Sequence, residues 1–310
     1  MTKKIVCLMG PTASRKSESA FGLINKLPCE IISVDSAMIY RGMNIGTAKP
    51  TTEELKQAPH RLIDIRDPSE AYSAADFCSD VKREIEAVFS LGKIPLLVGG
   101  TMLYFRALQQ GLSSLPAADE TTRQLILDKA NHLGWQALHD ELAKIDPATA
   151  KRIHPNDPQR LSRALEIYYL TGQSLSAHFE MSKPSDQEYD FINIALLPED
   201  RAWLHERIAK RFHFMLDHGF LEEAKQLHNR GDLSTDLPSM RAVGYRQAWA
   251  YLENDISYEQ FVEQGIAATR QLAKRQITWL RSWPNLQVIP CDKTNVISKC
   301  IDTCLSATQN

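Results

Sequence analysis

Residues 4–17 read KIVCLMGPTASRKS, and this stretch decides the fold. The apolar run over residues 4–9 predicts a buried parallel strand, and a helix predicted for residues 16–27 follows it. The loop between them matches the phosphate-binding pattern GxxxxGK(S/T) at all but one position. In such loops, backbone N–H groups at a helix N-terminus point at phosphate oxygens, Lys16 adds a charge, and Ser17 can ligate Mg²⁺. We therefore predict a phosphate site made of Gly10, Pro11, Thr12, Ala13, Ser14, Arg15, Lys16 and Ser17.

The alternative is an ordinary strand–helix turn that happens to carry Lys-Ser. The order of strand, loop and helix favours the phosphate site, because all three fall where the motif needs them. One residue departs from the pattern, since Arg15 stands where the motif has its second glycine. If the loop needs a left-handed backbone there, a side chain costs about 1–2 kcal/mol and the strain weakens diphosphate binding. The other interpretation is that the guanidinium adds a phosphate contact. We favour strain, which predicts that Arg15→Gly improves activity.

Strands and helices alternate along the first hundred residues. Apolar strands are predicted at 30–34 and 94–98, with a weaker candidate at 61–64, and a helix with one apolar face spans 73–91. This alternation predicts an α/β fold, a parallel sheet with helices on both faces like that of P-loop NTPases.

The pattern changes near residue 112. Residues 113–189 show helices and turns, and a strand at 190–197 restores the sheet, after which the chain is mainly helical. We therefore predict a core of residues 1–112 plus 190–310 and a helical insertion of residues 113–189. The inner boundary stays open at this stage, because the helix predicted for 158–171 could instead pack on the core.

Composition excludes several classes of protein. Of the 310 residues, 43% are hydrophobic and 24% charged, which excludes a disordered or fibrous chain. The net charge of -2 excludes an overall polycation, so nucleic-acid binding would need local basic segments. The longest uncharged run, residues 167–179, is shorter than the roughly 18 apolar residues of a membrane helix. We expect no membrane association. The six cysteines, which form no CxxC pair, predict free thiols in a reducing cytoplasm.

A carboxylate, Asp35, follows the predicted strand 30–34. In open α/β sheets ligands bind beyond the carboxyl ends of the strands, where an Asp can accept a proton or hold a water on a metal. An Asp in this place can equally cap the next turn. Position alone leaves both roles open.

Two segments carry basic residues without matching acidic ones. Between residues 266 and 283, Arg270, Lys274, Arg275 and Arg281 lie on a predicted helix whose opposite face is apolar. The helix predicted for 158–171 carries Arg160 and Arg163 one turn apart. Both segments are candidates for RNA phosphate binding. The alternatives are a solvated helix face for the first and a salt bridge of Arg163 with Glu166 for the second. Trp279 and Trp283 are predicted to pack rather than to stack on bases.

Further motifs accompany the phosphate loop in a fixed order. They are SVDSA at 33–37, YRGMNIGTAKP at 40–50, PHRLID at 59–64, VGGTMLY at 98–104, HPNDPQRLSRALE at 154–166, RAVGYRQ at 241–247 and TRQLAKRQITWLR at 269–281. With these motifs, which run from residue 5 to about 283, the chain resembles the bacterial tRNA dimethylallyltransferases. The resemblance implies transfer of a dimethylallyl group from dimethylallyl diphosphate to the N6 amine of adenosine 37, beside the tRNA anticodon, with Mg²⁺ required.

The resemblance also implies roles for individual residues. Lys16 would hold the diphosphate, Ser17 would ligate Mg²⁺, Asp35 would be the base or orienting group, and Thr101 would face the reacting centre. The implied contacts with the anticodon stem-loop of tRNA are Asp35, Ser36, Ala37, Met38, Thr101, Arg123, Gln159, Arg160, Leu161, Ser162, Arg163, Arg241, Gly244, Tyr245, Arg246, Lys274, Arg275, Gln276, Trp279 and Arg281. We expect a cytoplasmic, monomeric enzyme.

Three alternatives stay open from the sequence. A prenyltransferase that acts on free adenine nucleotides would not need the insertion or the basic helix. A P-loop kinase would use ATP, and its weakness is the pairing of SVDSA with the Gly99–Thr101 motif. A tRNA-binding homologue with an impaired diphosphate loop rests on Arg15 alone and predicts RNA binding without product.

Overall fold

A computed structural model describes residues 3–111, 115–116, 118–181 and 189–309. The chain divides into two compact units, one formed by Met1–Gln109 with Gln187–Asn310 and the other by Gln110–Asp186. The helix predicted for 158–171 lies within the second unit.

Within the described residues, six strands form one parallel sheet in the order β3-β2-β4-β1-β5-β6. The strands are β1 (Lys3–Met9), β2 (Cys29–Val34), β3 (His60–Arg61), β4 (Ile94–Gly99), β5 (Tyr189–Leu197) and β6 (Leu286–Pro290). Side chains of β1 alternate between two buried clusters, with Ile5 and Cys7 in one and Val6 and Leu8 in the other. Both faces of the sheet are therefore covered, as the continuous apolar runs predict.

The helices of the first unit flank this sheet. They are α1 (Lys16–Ile24), α2 (Thr52–Gln57), α3 (Ala74–Ser90), α4 (Met102–Gln110), α9 (Arg201–Asp217), α10 (Phe220–His228), α11 (Tyr245–Leu252), α12 (Tyr258–Arg281) and α13 (Val296–Gln309). Those of the second unit are α5 (Glu120–Ile145), α6 (Pro147–Ala150), α7 (Pro158–Thr171) and α8 (Leu175–Met181). The predicted α/β class, with a parallel sheet between helices, is confirmed.

The strand candidate at 61–64 was too long. β3 ends at Arg61, because Leu62 and Asp64 have positive φ angles of 59° and 55°. A left-handed backbone cannot continue an extended strand, so the chain turns away from the sheet here. The side chain of Lys49 is buried beside this turn and donates hydrogen bonds to Asp64 Oδ1 at 2.5 Å and to the Tyr40 carbonyl at 2.8 Å.

The chain after residue 197 is mainly helical, as predicted, but it also contains one strand, β6, that the sequence did not predict. β6 pairs in parallel with β5 at the edge of the sheet, and its short, partly exposed sequence gave no clear strand pattern. α13 then packs on α1, where Cys300 and Cys304 lie in one cluster with Leu23. The six cysteines are free thiols, as predicted. In the described part of the chain, no helix combines the length and apolar character that a membrane crossing requires.

Candidate active site

A cavity of about 660 Å³ opens where the carboxyl ends of β1, β2 and β4 meet. Its walls include the phosphate loop, residues 35–38, the Gly99–Thr101 loop and the inward faces of α9 and α12. Residues of the segments 46–50 and 238–245 also line it. Gly99 permits this arrangement, since a Cβ at this position would lie 1.9 Å from the Val34 carbonyl oxygen. The strand-end rule therefore brings the predicted phosphate loop and the predicted carboxylate to one cavity.

The phosphate loop is held in shape by contacts from within and from outside. Lys16 Nζ donates to the Pro11 carbonyl at 2.6 Å, so the amine lies folded over its own loop. The Ala13 carbonyl accepts a hydrogen bond from Arg207 Nε of α9 at 3.1 Å. Ser17 lies exposed in the first turn of α1 and lines the cavity. The loop thus offers an ammonium group, a hydroxyl and a helix N-terminus to an anionic ligand.

Arg15 has the backbone that the motif normally assigns to glycine. Its φ and ψ are 67° and 21°, in the left-handed region. The guanidinium donates from Nε to Glu18 at 2.8 Å and from Nη1 to the Lys293 carbonyl at 3.1 Å. The backbone condition of the strain interpretation is therefore present, and the side chain is engaged by protein partners.

Positive charge is concentrated beside the loop. Burial and the nearby Arg211 together lower the pKa of Lys16 to about 8, although Asp35 opposes the shift. Burial also lowers the pKa of Arg211 from its usual value. Among the described residues, the Arg211 side chain has no hydrogen-bond or ion-pair partner. Arg211 is half-buried, and a guanidinium without protein partners next to a phosphate loop fits an anionic ligand.

Sequence analysis missed Arg207 and Arg211. Both project from α9 into the cavity, four residues apart. Their spacing was visible in the sequence, but nothing in it indicated that this face of the helix would lie over the phosphate loop.

Asp35 caps its turn, which is one of the two roles that its position left open, and its role as a base stays a prediction. Its Oδ1 accepts the amides of Ala37 at 2.8 Å and Met38 at 3.2 Å, which makes it the cap of the turn. In the described residues no hydrogen bond reaches Oδ2. Thr101 supports the same turn, because its Oγ1 accepts the Ser36 amide at 3.0 Å and lies 3.4 Å from Ser36 Oγ. The cap holds the carboxylate in place and leaves one oxygen available.

A second carboxylate, Glu223 of α10, holds the neighbouring loop. Its Oε2 accepts the amides of Asn44 and Ile45, each at 2.8 Å, and its Oε1 accepts the amide of Gly46 at 3.0 Å. The hydroxyl of Tyr245 donates to Oε1 at 2.5 Å. Tyr245 is only 2% exposed, and Gly244 is buried beside it. Tyr245 thus supports the loop, and the predicted RNA contact of Gly244 and Tyr245 stays a prediction, since Tyr245 also lines the cavity.

α12 presents different residues to the core, the cavity and the solvent. Ala273 and Leu280 are buried, as the apolar face predicts. The basic face is exposed, and in the described structure its side chains have no ion-pair or hydrogen-bond partner; it consists of Arg270, Lys274, Arg275 and Arg281. Trp279 lines the cavity, with the Arg106 guanidinium 5.7 Å from its ring centre. We call the four exposed cations the basic face of α12.

Gln276 lies on the same helix but away from the basic face. It is only 9% exposed, and its amide bonds the phosphate loop and the Gly99–Thr101 loop. The structure therefore gives Gln276 an internal role, while its contact with RNA stays a prediction, since it also lines the cavity. In the segment 241–246, Arg241 and Arg246 are exposed, and Arg241 Nη2 lies 3.6 Å from Asp236.

In the second unit, the predicted RNA residues differ in exposure. Gln159 and Arg160 are exposed, and Ser162 is half-buried. Leu161 is fully buried in the core of the unit with Ile126 and Leu138, so we correct its assignment to packing.

Two arginines of the second unit share one buried carboxylate. Arg123 and Arg163 bond Glu166 at 3.0 and 2.7 Å, and Glu166 has no exposed surface. The salt bridge that we considered for Arg163 is therefore present, while its RNA contact stays a prediction.

Comparisons with known proteins agree on one family. The family model described as IPP transferase matches residues 38–283. The structure of a full-length tRNA isopentenylpyrophosphate transferase from Bacillus halodurans is 38% identical, covers 99% of this chain and 96% of its own, and has a TM-score of 0.72. A tRNA delta(2)-isopentenylpyrophosphate transferase from Staphylococcus epidermidis is 34% identical over 99% of both chains, with a TM-score of 0.70. A eukaryotic dimethylallyltransferase acting on tRNA is 27% identical over 99% of this chain and 80% of its own, with a TM-score of 0.81.

Proposed function

Since the chain belongs to the IPP transferase family and is thus a tRNA prenyltransferase, we propose that its donor is dimethylallyl diphosphate and its acceptor the N6 amine of adenosine 37. One observation carries this proposal: an anion site and a carboxylate with a free oxygen face the same cavity. Lys16 and Asp35 both line this cavity, which supports the proposal.

The anion site suits a diphosphate leaving group. As the allylic C–O bond breaks, its electron pair stays on the diphosphate, and negative charge grows on the leaving oxygens. Lys16, Arg211 and the first amides of α1 stabilise that charge. Arg207 supports the loop from behind through the Ala13 carbonyl.

Mg²⁺ fits the donors that the loop presents. The Ser17 hydroxyl is exposed in the cavity, and within the described residues no cluster of three His, Cys, Asp or Glu side chains forms a closed metal site. Mg²⁺ typically keeps several waters and binds through one or two protein oxygens together with substrate phosphates. Ser17 would therefore hold the ion, which would neutralise charge on the diphosphate when bound.

The acceptor amine needs a group that takes its proton. The N6 nitrogen forms a bond with the allylic carbon, and the proton it loses passes to Oδ2 of Asp35. Thr101 keeps this carboxylate in position through Ser36. The target base must leave its stack in the anticodon loop to enter the cavity, at a cost of a few kcal/mol.

The exposed cations provide RNA phosphate binding. The basic face of α12 carries four exposed charges, and one of them, Arg275, also lines the cavity, which favours contact with the anticodon stem-loop. Arg241, Arg246, Gln159 and Arg160 are exposed and complete the proposed contacts, together with residues 35–38. We propose that the enzyme acts as a monomer.

A single assay tests the reaction. The protein is incubated with Mg²⁺, dimethylallyl diphosphate and an unmodified tRNA, and the digested nucleosides are weighed by mass spectrometry. An adenosine heavier by one C5H8 unit at position 37 is the expected product. Parallel incubations also contain AMP or ATP, and prenylated AMP with unmodified tRNA, or phosphate transfer from ATP, would contradict the proposal. Bound tRNA without product in any reaction would indicate an impaired diphosphate loop.

A further inference from the structure

Gln276 makes two hydrogen bonds that join distant parts of the site. Its Oε1 accepts the Thr12 amide of the phosphate loop at 2.9 Å, and its Nε2 donates to the Gly100 carbonyl at 2.8 Å. The side chain is only 9% exposed, so water does not compete freely for these groups. One amide therefore spans the phosphate loop and the loop that carries Thr101.

The absence of a side chain at Gly100 makes room for this contact. A Cβ on Gly100 would lie 2.3 Å from Gln276 Nε2, and the glycine has no unusual φ angle to explain its presence. The close approach of the glutamine amide is thus the reason in this structure for the missing side chain. The contact at Thr12 is equally specific, because its backbone amide points at Gln276 Oε1.

The two partners of Gln276 belong to opposite halves of the proposed reaction. Thr12 lies in the loop that would hold the diphosphate. Gly100 precedes Thr101, whose hydroxyl orients the turn that carries Asp35. The distance between leaving group and acceptor base therefore depends on both ends of one side chain.

We propose that Gln276 is a positioning residue that sets the alignment of the allylic carbon with the acceptor nitrogen. It acts through Thr12 and Gly100, to which its side-chain amide is hydrogen-bonded. This inference rests on the proposed function. Misalignment of about 1 Å can cost about 10²-fold in rate, even when both substrates still bind.

The test replaces Gln276 with methionine, which keeps the length of the side chain and removes both hydrogen bonds. The matched control is Gln264→Met, an exposed glutamine on the same helix. Three quantities are measured: the dissociation constants of dimethylallyl diphosphate and tRNA, the single-turnover rate with both substrates saturating, and the melting temperature.

A fourth quantity separates positioning from simple damage. It is the ratio of diphosphate released to prenylated RNA formed. When the acceptor is misaligned, water attacks the allylic carbon instead, the C–O bond breaks, and dimethylallyl alcohol and diphosphate leave while the proton of the water goes to solvent. We expect the Gln276→Met variant to turn over about 10²-fold more slowly at unchanged dissociation constants, with a raised ratio of diphosphate to prenylated RNA.

A second variant disturbs the same hydrogen bond by changing Gly100 in place of Gln276. Gly100→Ala pushes the glutamine amide away from the carbonyl, so it should raise the same ratio. If both changes act through one contact, the double variant should be no slower than the slower single variant. This cycle also keeps the test decisive should Gln276→Met melt at a much lower temperature than the wild type.

Other outcomes overturn the proposal. A ratio equal to that of the wild type, a rate loss that saturating donor restores, or fully additive effects of the two changes would each show that Gln276 does not align the substrates. Failure of the proposed function looks different, because the wild type and Gln264→Met would then also give no prenylated RNA.

Discussion

Two carboxylates each hold a loop beside the cavity, and they differ in whether one of their oxygens remains without a hydrogen bond. Glu223 divides three backbone amides and the Tyr245 hydroxyl between its two oxygens, and it is 8% exposed. In Asp35, only Oδ1 accepts hydrogen bonds from the backbone amides of its turn. A fully bonded carboxylate fixes structure, whereas one with an unbonded oxygen in a cavity can also accept a proton. The comparison predicts a loss of stability for one substitution and a loss of activity for the other.

The largest effect is expected for Asp35→Asn. An amide oxygen can still accept the amides of Ala37 and Met38, but the NH2 group cannot accept a proton. We expect the single-turnover rate of prenyl transfer to fall by about 10²–10⁴-fold, with the melting temperature unchanged. Asp35→Ala is the contrast, since it should lose the turn cap as well and melt earlier. A rate for Asp35→Asn close to that of the wild type would show that Asp35 does not act as the base.

Glu223→Gln should act in the opposite sense. The NH2 group of glutamine would face backbone N–H groups or the Tyr245 hydroxyl, and so leave buried donors without an acceptor. We expect the free energy of unfolding, measured in urea, to fall by about 1–3 kcal/mol. Tyr245→Phe removes only one donor and should cost less, about 1 kcal/mol. Unchanged unfolding together with a rate loss as large as that of Asp35→Asn would reverse the roles of the two carboxylates.

The Asp35 region was far easier to predict from sequence than the groups that support it. The phosphate loop is a contiguous motif, and Asp35 follows an apolar strand, so local pattern and the strand-end rule were enough. Periodicity also predicts that Gln276 lies on a helix. It cannot predict which backbone groups that glutamine meets, since Thr12 and Gly100 are 264 and 176 residues away in the chain.

The same limit explains the other corrections. Glu223 lies 177 to 179 residues from its loop, and Arg211 looked like any charged residue of an exposed helix. Tyr245 sits in a segment with two exposed arginines, which made a buried role hard to recognise. Whether a residue supports a loop or can contact a substrate is decided in this molecule by its long-range partners and not by its residue type.

The pH dependence of activity should also differ between the two carboxylates, because of these two only Asp35 affects the pKa of Lys16. The pKa of Lys16 is lowered to about 8 by burial and Arg211, and the charge of Asp35 opposes that lowering. The charged amine binds the diphosphate, so kcat/KM for the donor should fall about tenfold per pH unit above pH 8. In Asp35→Asn the fall should begin at lower pH, while in Glu223→Gln it should stay at the wild-type position.

Lys16→Arg is the control for this profile. A guanidinium keeps its charge throughout the range, so the fall above pH 8 should disappear even if the absolute rate is lower. An alkaline limb that persists in Lys16→Arg would assign the titration to another group.

The smallest effects are expected at two strained positions, one in the phosphate loop and one beside the loop that Glu223 holds. Arg15 and Ala48 both have left-handed backbones, with φ of 67° and 52°. Glycine removes about 1–2 kcal/mol of strain at either position, and it loses about 0.5–1 kcal/mol through the greater freedom of the unfolded chain. Each substitution should therefore raise the unfolding free energy slightly. The ion pair of Arg15 with the exposed Glu18 should hardly change this, because such pairs contribute little.

Activity should separate these two matched substitutions. Arg15 belongs to the phosphate loop, so Arg15→Gly should lower the dissociation constant of dimethylallyl diphosphate several-fold, as measured by titration calorimetry. Ala48 lies next to the loop that Glu223 holds, so Ala48→Gly should leave that constant unchanged. Weaker donor binding in Arg15→Gly would mean instead that the guanidinium leaves Glu18 and the Lys293 carbonyl to contact the diphosphate. Strain in the phosphate loop is expressed as lost affinity only if the loop must adopt this backbone to bind, whereas strain beside Glu223 can affect stability alone.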